Sequence, residues 1–161
     1  MLPAAIVPVP TTAIVTDDWL AWAVEGLRAR AGLGIMYDSE PASKAVRLLR
    51  AGEAVLVLGD YAKEWMRTYP ARLLDGVAEL PAGVVALARL GGTPLVPFTV
   101  LPVATRRWRV EIEPPLAPPD RDGGVEAEQK VLQALADRWT VTLREHAEHW
   151  AAVYPMTWRA P

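Results

Sequence analysis

The strongest candidate for a catalytic residue is Asp60, which follows Gly59 and the apolar run at residues 54–58. A continuous apolar run of this kind is typical of a strand that is covered on both faces. Open α/β sheets bind their ligands beyond the carboxyl ends of their strands, so a carboxylate there is a candidate acid or base. The alternative is a turn aspartate that caps the next segment, and the local pattern by itself favours that alternative.

Two histidines form the next candidate group. His146 and His149 are three residues apart and lie beside Glu145 and Glu148. Side chains at this spacing share one face of a helix, and imidazoles so placed can hold a metal ion. The sequence offers no third group of ligands, and histidines at the solvated end of a helix are much commoner. We therefore predict no metal site.

A basic and aromatic turn covers residues 106–109, with the sequence Arg-Arg-Trp-Arg. Such a turn can contact phosphate or an anionic lipid headgroup, although a solvated hairpin tip is the commoner interpretation. The chain also has seven tryptophans. Most should lie in the core, but Trp65 follows Asp60 in an irregular segment, so we place it near a cleft or a lipid-facing surface.

The composition excludes several classes of protein. There is no cysteine, which excludes disulfide scaffolds, thiolate nucleophiles and cysteine-ligated metal centres. Lysine and arginine number 17 against 19 aspartates and glutamates, so the chain is not a basic nucleic-acid binder. No glycine-rich phosphate loop and no nucleophile elbow occurs. The apolar residues 1–15 contain three prolines and lack a basic start, unlike a signal peptide.

Strands alternate with helices along the chain, and a hairpin follows. This order predicts one α/β domain over residues 1–161, with a mostly parallel sheet flanked by helices and an antiparallel hairpin at the edge. We expect residues 61–79 to be irregular and the aromatic tail 149–161 to pack back. Strands are predicted at residues 33–37, 54–58, 94–103 and 108–113, and residues 4–15 are predicted to be an extended segment or an edge strand. Helices are predicted at residues 41–51, 82–90 and 125–147, and a first helix begins at residue 19 and ends at Gly32 or Gly34.

Several stretches carry a family resemblance that covers nearly the whole chain. In the first, residues 26–32, a helix ends in Leu-Arg-Ala-Arg-Ala-Gly, and in the second, residues 48–60, a leucine-rich helix is followed by glycine, an apolar strand and Asp60. The others are residues 80–97 and the C-terminal positions 148–150 and 158. In order and spacing they resemble the lipid A biosynthesis (lauroyl/myristoyl) acyltransferase family of the lysophospholipid acyltransferase superfamily. The resemblance implies a glycerol-3-phosphate acyltransferase-like fold.

The resemblance also implies a function. The family transfers a fatty acyl group from an acyl carrier protein or coenzyme A thioester to a glycolipid hydroxyl, without a cofactor. By this likeness Asp60 is an active-site acid, and Arg28 lines the same site. We expect Arg28, Trp65 and Arg89 to bind substrate. The expected location is cytoplasmic, peripheral to the inner face of the plasma membrane, and no nucleic-acid partner is expected.

One departure from the family pattern affects activity. The family's catalytic motif is a histidine followed five positions later by Asp or Glu, whereas here Ala151 follows His146 and Tyr154 follows His149 at that spacing. We expect the motif, a membrane anchor and the first strand to lie upstream of Met1. A lipid hydroxyl needs a base to become a nucleophile, so we predict that this chain transfers no acyl group by itself.

Two alternatives stay open from the sequence. The chain can be a non-catalytic module that binds a lipid or an acyl carrier. It can also be a structural domain that self-associates, because a sheet without its leading strand has an exposed edge. In that case residues 4–15 pair with another chain or fold back over the gap.

Overall fold

The structure is a computed structural model that describes residues 9–15, 21–150 and 157–159. The chain divides into two units, Met1–Leu58 and Gly59–Pro161, which are described in turn. The sequence predicts one domain over residues 1–161, and that stays a prediction.

The first unit is built on a small parallel sheet. Its strands are β1 (Thr11–Val15), β2 (Gly34–Tyr37) and β3 (Ala54–Leu56), in the order β2-β1-β3, and its helices are α1 (Ala21–Arg30) and α2 (Ala42–Arg50). Both helices occupy the connections between parallel strands, as such crossovers require. The strand β1 is central, so the prediction of an edge strand at residues 4–15 is wrong for its described part, and the edges of this sheet belong to β2 and β3.

The core of the first unit is made of small and flexible side chains. Ala13 of β1, Met36 of β2 and Ala45 of α2 are buried. Gly34 permits β2 to approach β1 closely, because a Cβ at that position would lie 2.7 Å from Thr12 Oγ1. A side chain at this glycine would therefore separate the two strands.

The second unit begins with an antiparallel hairpin of β4 (Thr68–Leu73) and β5 (Gly76–Pro81), followed by α3 (Gly83–Gly91). A second hairpin pairs β6 (Phe98–Ala104) with β7 (Arg107–Ile112). The long helix α4 (Gly124–His146) leads into a 3-10 turn (Ala147–His149), and the short strand β8 (Trp158–Arg159) pairs with β5. The aromatic tail thus packs back in its described residues, as predicted.

The β4–β5 hairpin corrects the prediction that residues 61–79 are irregular. Tyr69, Ala71 and Leu73 are buried and alternate with more exposed residues, which is the period of a half-buried strand. Proline is rare inside strands, so Pro70 makes this strand hard to recognise from the sequence. The turn is also unusual, because Leu74 adopts a positive φ of 53° where glycine or asparagine is the common choice.

The helix α4 covers the hairpin and its open edge. Leu132, Leu135 and Ala136 of α4 are buried. The side chain of Gln133 accepts a hydrogen bond from the Arg72 amide (2.8 Å) and donates one to the Arg72 carbonyl (3.0 Å). These contacts satisfy backbone groups of β4 that a neighbouring strand would otherwise pair.

The predicted fold class is confirmed at the level of a mixed α/β protein. Helices are found at all four predicted places, and the predicted hairpin near residues 104–107 is present. Parallel pairing, however, is confined to the three strands of the first unit, and the two sheets of the second unit are antiparallel. The predicted start of the first helix, at residue 19, lies outside the described residues. Among those described, no helix combines the length and the apolar character needed to cross a membrane.

Candidate functional site

The turn at residues 59–60, called the Asp60 turn below, is held by two tryptophans from the C-terminal part of the chain. The indole Nε1 of Trp150 donates a hydrogen bond to Asp60 Oδ2 at 2.9 Å. A Cβ at Gly59 would lie 2.6 Å from Cη2 of Trp139 in α4. Only glycine fits this close approach, so the backbone before Asp60 lies directly on an aromatic ring. The carboxylate itself is exposed.

The segment at the end of α4, which contacts the Asp60 turn through Trp150, also contains the two histidines. His149 directly precedes Trp150, so their Cα atoms are about 3.8 Å apart. The His149 Nε2 lies 3.3 Å from Glu148 Oε1, and its ring stacks with His146 at a centroid distance of 6.3 Å. The predicted pairing of the two histidines on one face is therefore found. Within residues 9–15, 21–150 and 157–159, no cluster of three or more ligating side chains can hold a metal ion.

Trp65 lies in the irregular segment between the Asp60 turn and β4. Its side chain is 65% exposed, and the Lys63 ammonium lies 5.7 Å from its ring centroid, near the outer limit of a cation–π contact. A large exposed aromatic side chain of this kind suits a cleft or lipid surface. Its contact with a substrate stays a prediction.

Arg89 lies at the end of α3, and its guanidinium is directed to an internal carboxylate. The Arg89 Nε donates to Glu128 Oε1 at 2.7 Å, and one terminal nitrogen donates to the Arg121 carbonyl at 3.3 Å. Glu128 is 3% exposed. These contacts give Arg89 a structural role, and its predicted contact with substrate has no additional support from its position.

Glu128 also accepts a hydrogen bond from the buried Tyr69 hydroxyl at 2.6 Å. Burial, followed by this hydrogen bond and the nearby negative charge, raises the pKa of Tyr69 above its ordinary value. The hydroxyl therefore stays protonated and donates to the carboxylate. The Arg67 guanidinium lies 5.0 Å from the Tyr69 ring centroid.

Sequence reasoning missed the cluster of Tyr69, Arg89 and Glu128, although one signal was present. Glu128 lies four residues before Leu132 and seven before Leu135, on the apolar face of α4. An acidic residue at such a position is rarely buried without a partner. The pattern therefore predicts a buried cation or hydrogen-bond donor elsewhere in the chain that contacts Glu128.

Arg28 belongs to α1 in the first unit, whereas Asp60, Trp65 and Arg89 belong to the second. One of its terminal nitrogens lies 3.5 Å from the Ile14 carbonyl oxygen, at the long limit for a hydrogen bond. Partial burial lowers the pKa of Arg28 from its ordinary value. A guanidinium nevertheless stays charged at neutral pH, so Arg28 can contact an anionic group.

Asp60 is the predicted site residue best placed for chemistry. Its carboxylate is exposed, fixed by a neutral indole donor and close in sequence to an exposed tryptophan. It can accept further hydrogen bonds, because an ionised carboxylate has about four acceptor positions. The arrangement is suited to binding a hydroxyl group.

Comparison with models of known protein families finds no match for this chain, and comparison with curated proteins finds none either.

Proposed function

We propose that this chain is an acyltransferase-like domain that binds a lipid hydroxyl at Asp60 and does not transfer an acyl group by itself. One observation carries the proposal: the exposed Asp60 carboxylate is held by the Trp150 indole at 2.9 Å, directly after the glycine that the family resemblance requires. A glycerol-3-phosphate acyltransferase-like fold is part of the same proposal. The mixed α/β architecture supports it at the coarse level only.

The chemistry at Asp60 favours the acceptor over the acyl donor. A coenzyme A thioester is strongly anionic, so a carboxylate repels it. A sugar or glycerol hydroxyl, in contrast, donates a charge-assisted hydrogen bond to the carboxylate. We therefore assign Asp60 to the binding of a glycolipid hydroxyl.

The proposed lack of transfer follows from the base that the reaction needs. A positioned imidazole typically contributes about 10²–10⁴-fold to such a reaction. In the family a carboxylate five positions after the histidine orients that imidazole. Here the carboxylate near His149 is that of the adjacent Glu148, which is a different geometry. We infer that the imidazole is not presented to a hydroxyl bound at Asp60.

The binding part of the proposal is tested with octyl glucoside below its micelle-forming concentration, added to the full chain and followed by calorimetry. We expect saturable binding that Asp60→Ala weakens about 10- to 100-fold, the range for a hydrogen bond to a charged group. Asp60→Asn keeps an acceptor for Trp150 but removes the charge, so it should give an intermediate loss.

The matched control is Asp122→Ala, because Asp122 is an exposed aspartate in a loop of the same unit. This variant should bind octyl glucoside as the unmodified chain does. Equal affinity of the Asp60→Ala chain and the unmodified chain would refute the assignment of Asp60.

A further inference from the structure

The β6–β7 hairpin has one face that is almost entirely apolar and exposed. The register pairs Phe98 with Ile112, Val100 with Val110 and Pro102 with Trp108. Because these pairs alternate along both strands, all six side chains lie on the same face. Five of them are between 42% and 71% exposed. The opposite face contains the buried Leu101, so the apolar face is the outer one.

The same hairpin carries an excess of positive charge at its tip. Its residues 98–112 contain three arginines, at 106, 107 and 109, and a single acidic residue, Glu111. Glu111 pairs with Arg109 at 2.8 Å, while Arg106 and Arg107 lie at the exposed turn. The tip is therefore basic, although the whole chain has a formal net charge of −2.

We propose that this hairpin docks flat on an anionic phospholipid bilayer, with its apolar face in the interface and Arg106 and Arg107 on the headgroup phosphates. Tryptophan is favoured at this boundary because its ring is apolar and its N–H is polar, and Trp108 lies next to the basic tip. The charge of the tip is complementary to that of an anionic leaflet.

The backbone limits how deeply the hairpin enters. In the described part of the chain β6 and β7 pair only with each other, so each strand has an open edge. Open sheet edges are not tolerated in the hydrocarbon region, because their polar groups find no partner there. The hairpin therefore lies within the headgroup region and does not span the membrane.

A second copy of this chain fits the same face less well. The strand β6 is seven residues long and β7 is six, and two such strands about 4.8 Å apart present a footprint of roughly 220 Å². A stable protein interface needs about 800 Å² from each partner. The hairpin face is too small for a dimer, whereas a bilayer needs no matching surface and adds electrostatic attraction.

The test is co-sedimentation of the full chain with unilamellar vesicles of phosphatidylcholine containing 30% phosphatidylserine. We expect binding that decreases steeply with added salt and is weak on pure phosphatidylcholine. Arg106→Gln with Arg107→Gln should lower the partition coefficient about 30-fold, given the usual attraction of each basic residue. Trp108→Ser with Ile112→Ser should lower it at least 10-fold. The control Val141→Ser changes an equally exposed apolar residue of α4 and should have no effect.

Three results would overturn the proposal: no binding to the anionic vesicles, equal binding of the hairpin variants, or a dimer in sedimentation that the Trp108 and Ile112 changes dissociate. The last would assign the face to a second copy. The headgroups of these vesicles carry neither a hydroxyl group nor a thioester, so failure here is independent of binding at Asp60.

Discussion

Replacing Glu128 by alanine should lower the free energy of unfolding of the second unit by about 3 kcal/mol, the lower end of the range for breaking a buried ion pair. The change removes the partner of the Arg89 guanidinium, at 2.7 Å, and of the Tyr69 hydroxyl, at 2.6 Å. The Arg89 side chain is 24% exposed, so water relieves part of its loss. Urea unfolding followed by circular dichroism measures the effect.

Two further variants separate charge from hydrogen bonding at this position. Glu128→Gln keeps an acceptor for Tyr69 but loses the attraction to Arg89. It should therefore lower the free energy of unfolding by less than Glu128→Ala does. Glu128→Leu combined with Arg89→Leu and Tyr69→Phe replaces the whole cluster with apolar groups and should recover most of the stability. If Glu128→Ala costs less than about 0.5 kcal/mol, as a typical surface change does, the cluster has no structural role.

Leu132→Ala should destabilise the same unit by about 2–5 kcal/mol, since it removes buried methyl groups and leaves a cavity. Leu132 is 0% exposed and lies in α4, the helix that covers β4 and ends near the Asp60 turn. Its loss should therefore also loosen the contact between Trp150 and Asp60. A urea titration gives the free energy, and the m-value shows whether one transition is retained.

The control for this prediction is Val141→Ala on the same helix. Val141 is 61% exposed, so the change should stay within about 0.5 kcal/mol. Similar losses for both variants would show that α4 is not packed as described, and that its effect on the Asp60 turn has another cause.

The sequence predicted those helices, strands and contacts that depend on residues close to one another in the chain. The apolar run before Asp60 contains β3, the glycine pair after Leu90 ends α3 within one residue, and the i, i+3 spacing of His146 and His149 brings their rings together. Each of these depends on neighbours within one or two turns of the chain. Such interactions are visible in a sequence read by itself.

The errors arose where distant parts of the chain meet. The central position of β1 depends on pairing with β2 and β3 on both sides, and period alone does not distinguish an edge strand from a central one. The hydrogen bond between Trp150 and Asp60 joins residues 90 positions apart. Likewise the ion pair between Arg89 and Glu128 joins two different helices, so the sequence pattern did not indicate it. The predicted contact of Arg89 with a substrate stays a prediction.

The most direct measurement of the central claim is thiol release from myristoyl-CoA by the full chain in the presence of octyl glucoside at a concentration that saturates its binding. We predict no release above that of buffer, because our proposal presents no imidazole to a hydroxyl bound at Asp60. Steady release that Asp60→Ala abolishes, and that Asp122→Ala leaves unchanged, would contradict this and show that the chain contains a complete active site.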